Sequence, residues 1–179
     1  MNHQKRMMIV LLGIIAMSGH LAYASNGQHD MIPRSAQMAY QANTPTNDVT
    51  LTQARVATRA AILKAKALKT LMTICIVDAG GHIKSLLRMD GAWIGSVDIA
   101  IKKARTARLF NINTGDIGKM SQPGGPFYQF EHSNGGLISF PGGVPIKNRN
   151  GQIIGAIGIS GSTNENDQAV ANAGAAAVK

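Results

Sequence analysis

The sequence predicts an α+β domain, a mostly antiparallel sheet with helices packed on it. Three observations carry this expectation. Two turn signals, Asp78-Ala79-Gly80-Gly81 and Asn148-Arg149-Asn150-Gly151, each separate strand-like runs and imply hairpins. Alanine-rich segments with helical spacing flank those runs. Two of these segments open with capping-box patterns, at Thr50 to Gln53 and at Ser162 to Glu165. Hairpins pair their strands antiparallel, because a parallel pair needs a long crossover.

Residues 1–24 read as a signal peptide. Lys5 and Arg6 form a positive start, Met7 to Met17 is a short apolar run, and Ala22-Tyr23-Ala24 fits a small-x-small cleavage site. The apolar run is too short for a membrane-spanning helix, so the mature protein is expected in the periplasm or secreted, without stable membrane insertion after cleavage. Residues 25–48 show no helical or alternating period and contain Pro33 and Pro45, as a flexible N-terminal arm would. The remaining residues 49–179 suit one domain.

The first helix runs from Leu51 to about Lys69, with Ala54, Ala57, Ala61, Ala65 and Leu68 on one seam. Small side chains there permit close approach to a sheet. Met72 to Val77 and His82 to Met89 read as the two strands of the first hairpin. A second helix begins near Ser96 and runs to Phe110, with Ala100, Ala104 and Ala107 on its buried stripe and an Asp98–Lys102 pair at i,i+4. Thr114 to Asp116 opens a short helical turn. Three further strands are expected at Leu137–Phe140, Val144–Lys147 and Gln152–Ser160, the last with Gly155 and Gly158 marking close backbone approach. A terminal helix follows the second capping box.

Between these elements lies the stretch that directs attention to function. Residues Gln122 to Pro145 contain glycine pairs at 124–125, 135–136 and 142–143, together with Pro123, Pro126, Pro141 and Pro145. Such a mixture specifies a folded-back loop. Phe127, Tyr128, Phe130, Leu137, Ile138 and Phe140 supply the apolar anchors that a floppy linker lacks. An ordered structural loop and a binding loop both fit, and a binding loop is expected to close over a cavity beneath its rings.

Charge narrows the partners. Removing the leader's 2 basic residues from 18 leaves 16 against 9 acidic residues, a net charge of +7. Export and an aromatic content of 4% argue against nucleic acid, leaving an anionic small molecule as the fitting partner. The single cysteine, Cys75, has no internal disulfide partner and sits in an apolar strand. No Walker loop, G-x-S-x-G or H-E-x-x-H motif occurs, so no catalytic residue is assigned.

The candidate site residues follow from chemistry. His132 can ligate iron or exchange a proton, and Glu131 beside it can orient the ring; in an aromatic loop the pair resembles one side of a haem pocket. The alternative is a histidine that only braces the glycine turns. Lys103 and Thr106, three apart on the second helix, can present a charge and a hydroxyl to one pocket, with Arg105 as a further cation for propionates. Trp93 can wall a site or anchor the helix start, and Phe127 and Phe140 supply apolar walls.

Three blocks then carry a resemblance: VDAGGHIKSLLRMDGAWIGSVDIAIKKARTA, PGGPFYQFEHSNGGLISFPGGVPI and GQIIGAIGISGSTNENDQAVANAGAAAV. In this order, spanning about Val49 to Val178, they resemble the GlcG/HbpS family, which includes the C-terminal domain of PduO. That resemblance implies a profilin-like fold, a five-stranded antiparallel sheet flanked by helices, and homo-oligomers. It also implies haem or another tetrapyrrole as ligand, since some members bind haem. MDGAWIGSVDIA and EHSNGG resemble the PduO-like branch, without the adenosyltransferase domain that precedes it there. The family carries no uniform axial ligand, so His132 stands on its chemistry. Two other functions remain open on sequence: an enzyme acting on a small organic acid, with His132 as acid or base, and an oligomeric structural or signalling module without a catalytic site.

Overall fold

The computed structural model describes residues 47–179, so the predicted leader and most of the predicted arm lie outside the described residues. The last arm residue, Asp48, already belongs to the fold. Its carboxylate accepts from the Ala79 amide at 2.9 Å and from Lys84 Nζ at 2.9 Å, pinning the chain to the first hairpin.

Helix α1 spans Leu51–Ala67 and opens with the expected box, in which Thr50 Oγ1 accepts from the Gln53 amide while the Gln53 side chain accepts from the Thr50 amide. Its buried seam is Ala54, Ala57, Ala61 and Ala65, joined by Thr58. Strands β1 (Thr73–Val77) and β2 (Ile83–Arg88) form the predicted antiparallel hairpin. Helix α2 spans Ser96–Phe110, and the short helix α3 spans Thr114–Met120. Strands β3 (Gly143–Lys147) and β4 (Ile153–Ser160) form the second hairpin, and helix α4 (Asn164–Ala176) closes the chain. The cap of α4 is Thr163, one residue beyond the expected Ser162, and accepts from the Asn166 amide.

The sheet has four strands in the order β2-β1-β4-β3, every neighbouring pair antiparallel. This corrects the expected five. Residues 137–140 form no strand, because their amides are taken locally: Leu137 N–H donates to the Glu131 carbonyl and Ile138 N–H to Thr106 Oγ1. Gly136 and Gly142, at φ of 99° and 118°, bend the backbone out of line at both ends of the segment. The alternation of apolar residues around Ile138 therefore reports anchoring, not pairing.

Helices α1 and α4 bury their seams against one face of the sheet, through Ile74, Ile76, Ile146, Ile157 and Ile159. The buried side of α4 is Asp167, Val170, Ala171 and Gly174. Helix α2 covers the other face with Ala100, Ala104 and Ala107 against Cys75, Val77 and Ala156. The register pairs Gly143 with Gly158 directly across β3 and β4. A methyl group at Gly158 would collide with the Ala100 carbonyl and Ala104 amide, and one at Gly143 with the Lys103 carbonyl and Thr114. The two glycines thus form a flat floor on which the α2 backbone rests, as the glycines of the last strand predicted. Cys75 is buried there, and desolvation pushes its thiol up to about 12.

Candidate functional site in the glycine loop

The loop after α3 is ordered in two halves. The first, from Gln122, makes tight turns in which Gly125 N–H donates to Gln122 O, Phe127 N–H to Met120 O, and Phe130 N–H to Phe127 O. These turns gather rings. Phe130 meets Phe110, from the end of α2, edge-on at 5.3 Å between centroids, and lies against Phe127 at 6.1 Å. Phe110, Phe127 and Tyr128 remain about half exposed, so the cluster has an open apolar side.

A single 3-10 turn, Phe130–His132, then carries Glu131 and His132. The two side chains part company. Glu131 takes the Ser139 hydroxyl, and that hydrogen bond holds its carboxyl below the usual carboxylate range. His132 is exposed, and among the described residues no hydrogen bond takes its ring. Glu131 therefore fastens the two halves of the loop together instead of orienting the imidazole.

The second half, Leu137 to Gly143, is bolted to the helices. Thr106 is fully buried and accepts from Ile138 N–H at 3.1 Å, and Thr114 accepts from Gly143 N–H at 2.9 Å. Gln168 of α4 accepts from Gly142 N–H at 3.1 Å. Lys103, with 0% of its surface exposed, sends its ammonium to Asp167 at 2.7 Å and to the Ile159 carbonyl at 3.0 Å, under the Phe140 ring at 4.6 Å from its centroid. Burial pulls the lysine's pKa down and the aspartate's up, while each partner works to keep the other charged. This pair joins α2, β4 and α4 beneath the loop.

Of the residues singled out in the sequence, Lys103, Thr106 and Phe140 come together, but around an internal clasp. The ammonium expected to meet a propionate is engaged with Asp167, because residue 103 falls on the buried stripe of α2 beside Ala100, Ala104 and Ala107. Arg105 is exposed. Lys102 also faces the loop, its ammonium and Cε 3.5 Å from where a Gly136 Cβ would stand, while pairing with Asp98 at 2.9 Å as expected. Trp93 is 70% exposed and borders a separate hollow with Leu71, Gly91 and Gly161. Phe140 borders another, with Gly118, Ser139 and Pro141. The loop as a whole does not close over His132; its aromatic cluster and imidazole form an outward-facing surface.

Asp167 was missed by sequence reasoning, although an acidic residue on an alanine-rich helix seam, with a lysine on the facing seam, is a readable signal of a buried pair. The Phe110 contribution was missed because it sits at the end of a helix whose buried apolar residues are all alanine.

The comparisons with known proteins agree on one lineage. The chain is 36% identical over 124 residues to a 15.0 kDa protein encoded in the dhaT-dhaS intergenic region of Citrobacter freundii, covering 69% of this chain and 87% of that one. It is 37% identical over 122 residues to corrinoid adenosyltransferase PduO of the same organism, but spans only 36% of that longer protein. Among solved structures, Klebsiella pneumoniae ORFY superposes with a TM-score of 0.71 at 33% identity, covering 75% of this chain and 92% of that chain. A complex of PduOC with haem superposes with a TM-score of 0.69 at 34% identity, covering 74% and 96%. Residues 49–176, nearly the whole described domain, match the family described as haem-degrading protein HbpS-like, and the chain belongs to that family.

Proposed function

We propose that the protein is an exported haem-binding protein whose ligand lies on the outward surface of the glycine loop. The single observation that carries this is the exposed His132 ring, free of protein hydrogen bonds among the described residues, on the same turn as Phe130, against which the half-exposed Phe110 and Phe127 pack. Haem is a flat apolar disc with an iron that takes imidazole and two carboxylates that take cations, and the loop and α2 carry residues of each complementary kind. His132 would hold the iron, Phe127 and Tyr128 would receive the macrocycle, and Arg105 would meet a propionate, joined by Lys102 once it leaves its solvent-exposed pair with Asp98. When bound, the iron supplies ligand exchange and one-electron chemistry. The chain's own residues bind and orient: Glu131 and Ser139 fix the loop, and Lys103 with Asp167 fixes what lies beneath it.

A related PduOC has been crystallised as a haem complex, which supports the ligand class. The export reading rests on the leader-like residues 1–24. Self-association is part of the same proposal: Trp93 and Ile94 are 70% and 84% exposed on adjacent positions, an apolar patch of the kind that marks interaction surfaces.

Titrating the purified protein with haemin tests the proposal. A saturable Soret shift that is lost or displaced in His132→Ala, with unchanged thermal stability, is expected. A titration identical to that of an unrelated basic protein overturns the binding claim. A binding isotherm and spectrum unaltered by His132→Ala remove the histidine from coordination.

A further inference from the structure

A second site stands on the described surface, independent of the haem reading. A groove of about 410 Å³ runs between α3 and the first half of α4, with Pro141 and Gly115 in its floor. It continues into an adjoining hollow of about 350 Å³ that shares Gly115, Lys119, Pro141 and Asn164 and ends on the Phe140 ring. We propose that this groove binds a small, neutral, hydroxyl-rich molecule of saccharide type.

The lining chooses the class. Asn164, Gln168 and Asn172 recur at i, i+4 and i+8, so they stand in a row along one wall. The row is set in place by the fold. Gln168 Oε1 is fixed by the Gly142 amide at 3.1 Å, and its Nε2 donates to Asn172 Oδ1 at 2.9 Å. That leaves the second Gln168 N–H and both Asn172 N–H groups as donors, and Asn164 with an uncommitted donor and acceptor among the described residues. Across the groove, Asn113 leans on Asp116, which is also paired with Lys119 at 2.8 Å.

The groove thus sets uncommitted amide donors on the α4 row beside the carboxylate acceptors of Asp116 and Glu165, which suits hydroxyl groups because each both donates and accepts. An anion is disfavoured, since the lining holds two carboxylates, Asp116 and Glu165, and its one ammonium is already paired. Pro141 and the half-exposed face of Phe140 give a C–H-rich ring something to lie on. The site departs from the general basic character of the chain, and in that setting the amides decide the specificity.

The test is a ¹⁵N-resolved NMR titration of the full chain with glucose, maltose and N-acetylglucosamine, set beside putrescine and acetate as a cation and an anion. Saturable shifts confined to Gly115, Gly118, Asn164 and Gln168 with at least one saccharide are expected. Asn172→Leu with Asn164→Ala should weaken that binding by about tenfold or more, while the fold, checked by thermal unfolding, and the haemin titration stay as in the parent. Silence with all three saccharides overturns the proposal, as does a response at these residues to putrescine or acetate alone. Because the haemin readout is separate, failure here leaves the haem reading intact, and failure of haem binding leaves this one intact.

Discussion

Replacing Lys103 by methionine isolates the clasp beneath the loop. Methionine keeps most of the volume of the lysine stem but leaves the Asp167 carboxylate, 3% exposed, without the ammonium that lies 2.7 Å away. Removing one partner of a buried ion pair costs about 3–5 kcal/mol, because an uncompensated charge stays out of water. For a domain of this size that corresponds to a fall in Tm of roughly 10–18 °C. Replacing both members, as Lys103→Met with Asp167→Leu, should recover part of the loss, short of about 1 kcal/mol each for the Ser162 amide that donates to Asp167 and the Ile159 carbonyl that accepts from Lys103. The pH dependence fixes the cause. In Lys103→Met the carboxyl pKa, already raised by desolvation, rises further. The folded state then binds the proton more tightly than the unfolded chain, whose aspartate titrates near about 3.9, so stability returns as pH falls through the raised folded value. Urea unfolding from pH 8 down to pH 5 measures this. A loss under about 1 kcal/mol at pH 7, or a loss that does not shrink in acid, would contradict a buried Asp167 charge held by Lys103.

Other expectations follow from the same geometry. Gly158→Ala places a methyl group against the Ala100 carbonyl and Ala104 amide, and thermal unfolding should show a destabilisation of about 1–3 kcal/mol or more; a neutral substitution would mean that α2 does not rest on the glycine floor. Glu131 has a lowered folded pKa through Ser139, so its contribution is present above the unfolded value and is lost as pH falls through the folded one. Protection factors of the Leu137 and Ile138 amides, corrected for the intrinsic slowing of exchange in acid, should fall in that window, and Glu131→Gln should remove their pH dependence. The Cys75 thiol, raised to about 12 and buried, should resist a disulfide reagent at pH 8 until the protein is unfolded; rapid native-state labelling would contradict its placement.

Helices α1, α2 and α4 and both hairpins were legible in the chain because each rests on local signals: caps, alanine seams and turn residues. The fifth strand was misread because Leu137 to Phe140 has strand-like composition, while its backbone donors go to Glu131 and Thr106, neither of which is visible as a partner until the chain is folded. The importance of the glycine loop was legible, and so were its anchors. What could not be read was the direction in which individual side chains turn. Residue 103 is a lysine among the buried alanines of α2, a local conflict resolved by Asp167, 64 residues later, together with the Ile159 carbonyl. His132 and Glu131 are neighbours in sequence yet serve different surroundings, one facing solvent and the other Ser139.

The proposed function rests on whether this chain carries haem. An absorption spectrum of the protein as isolated from haem-replete cells, followed by haemin titration of any apo fraction, addresses that directly. A Soret band in the isolated protein, displaced in His132→Ala, is the predicted result. A colourless protein that takes up haemin no better than an unrelated basic protein would contradict it.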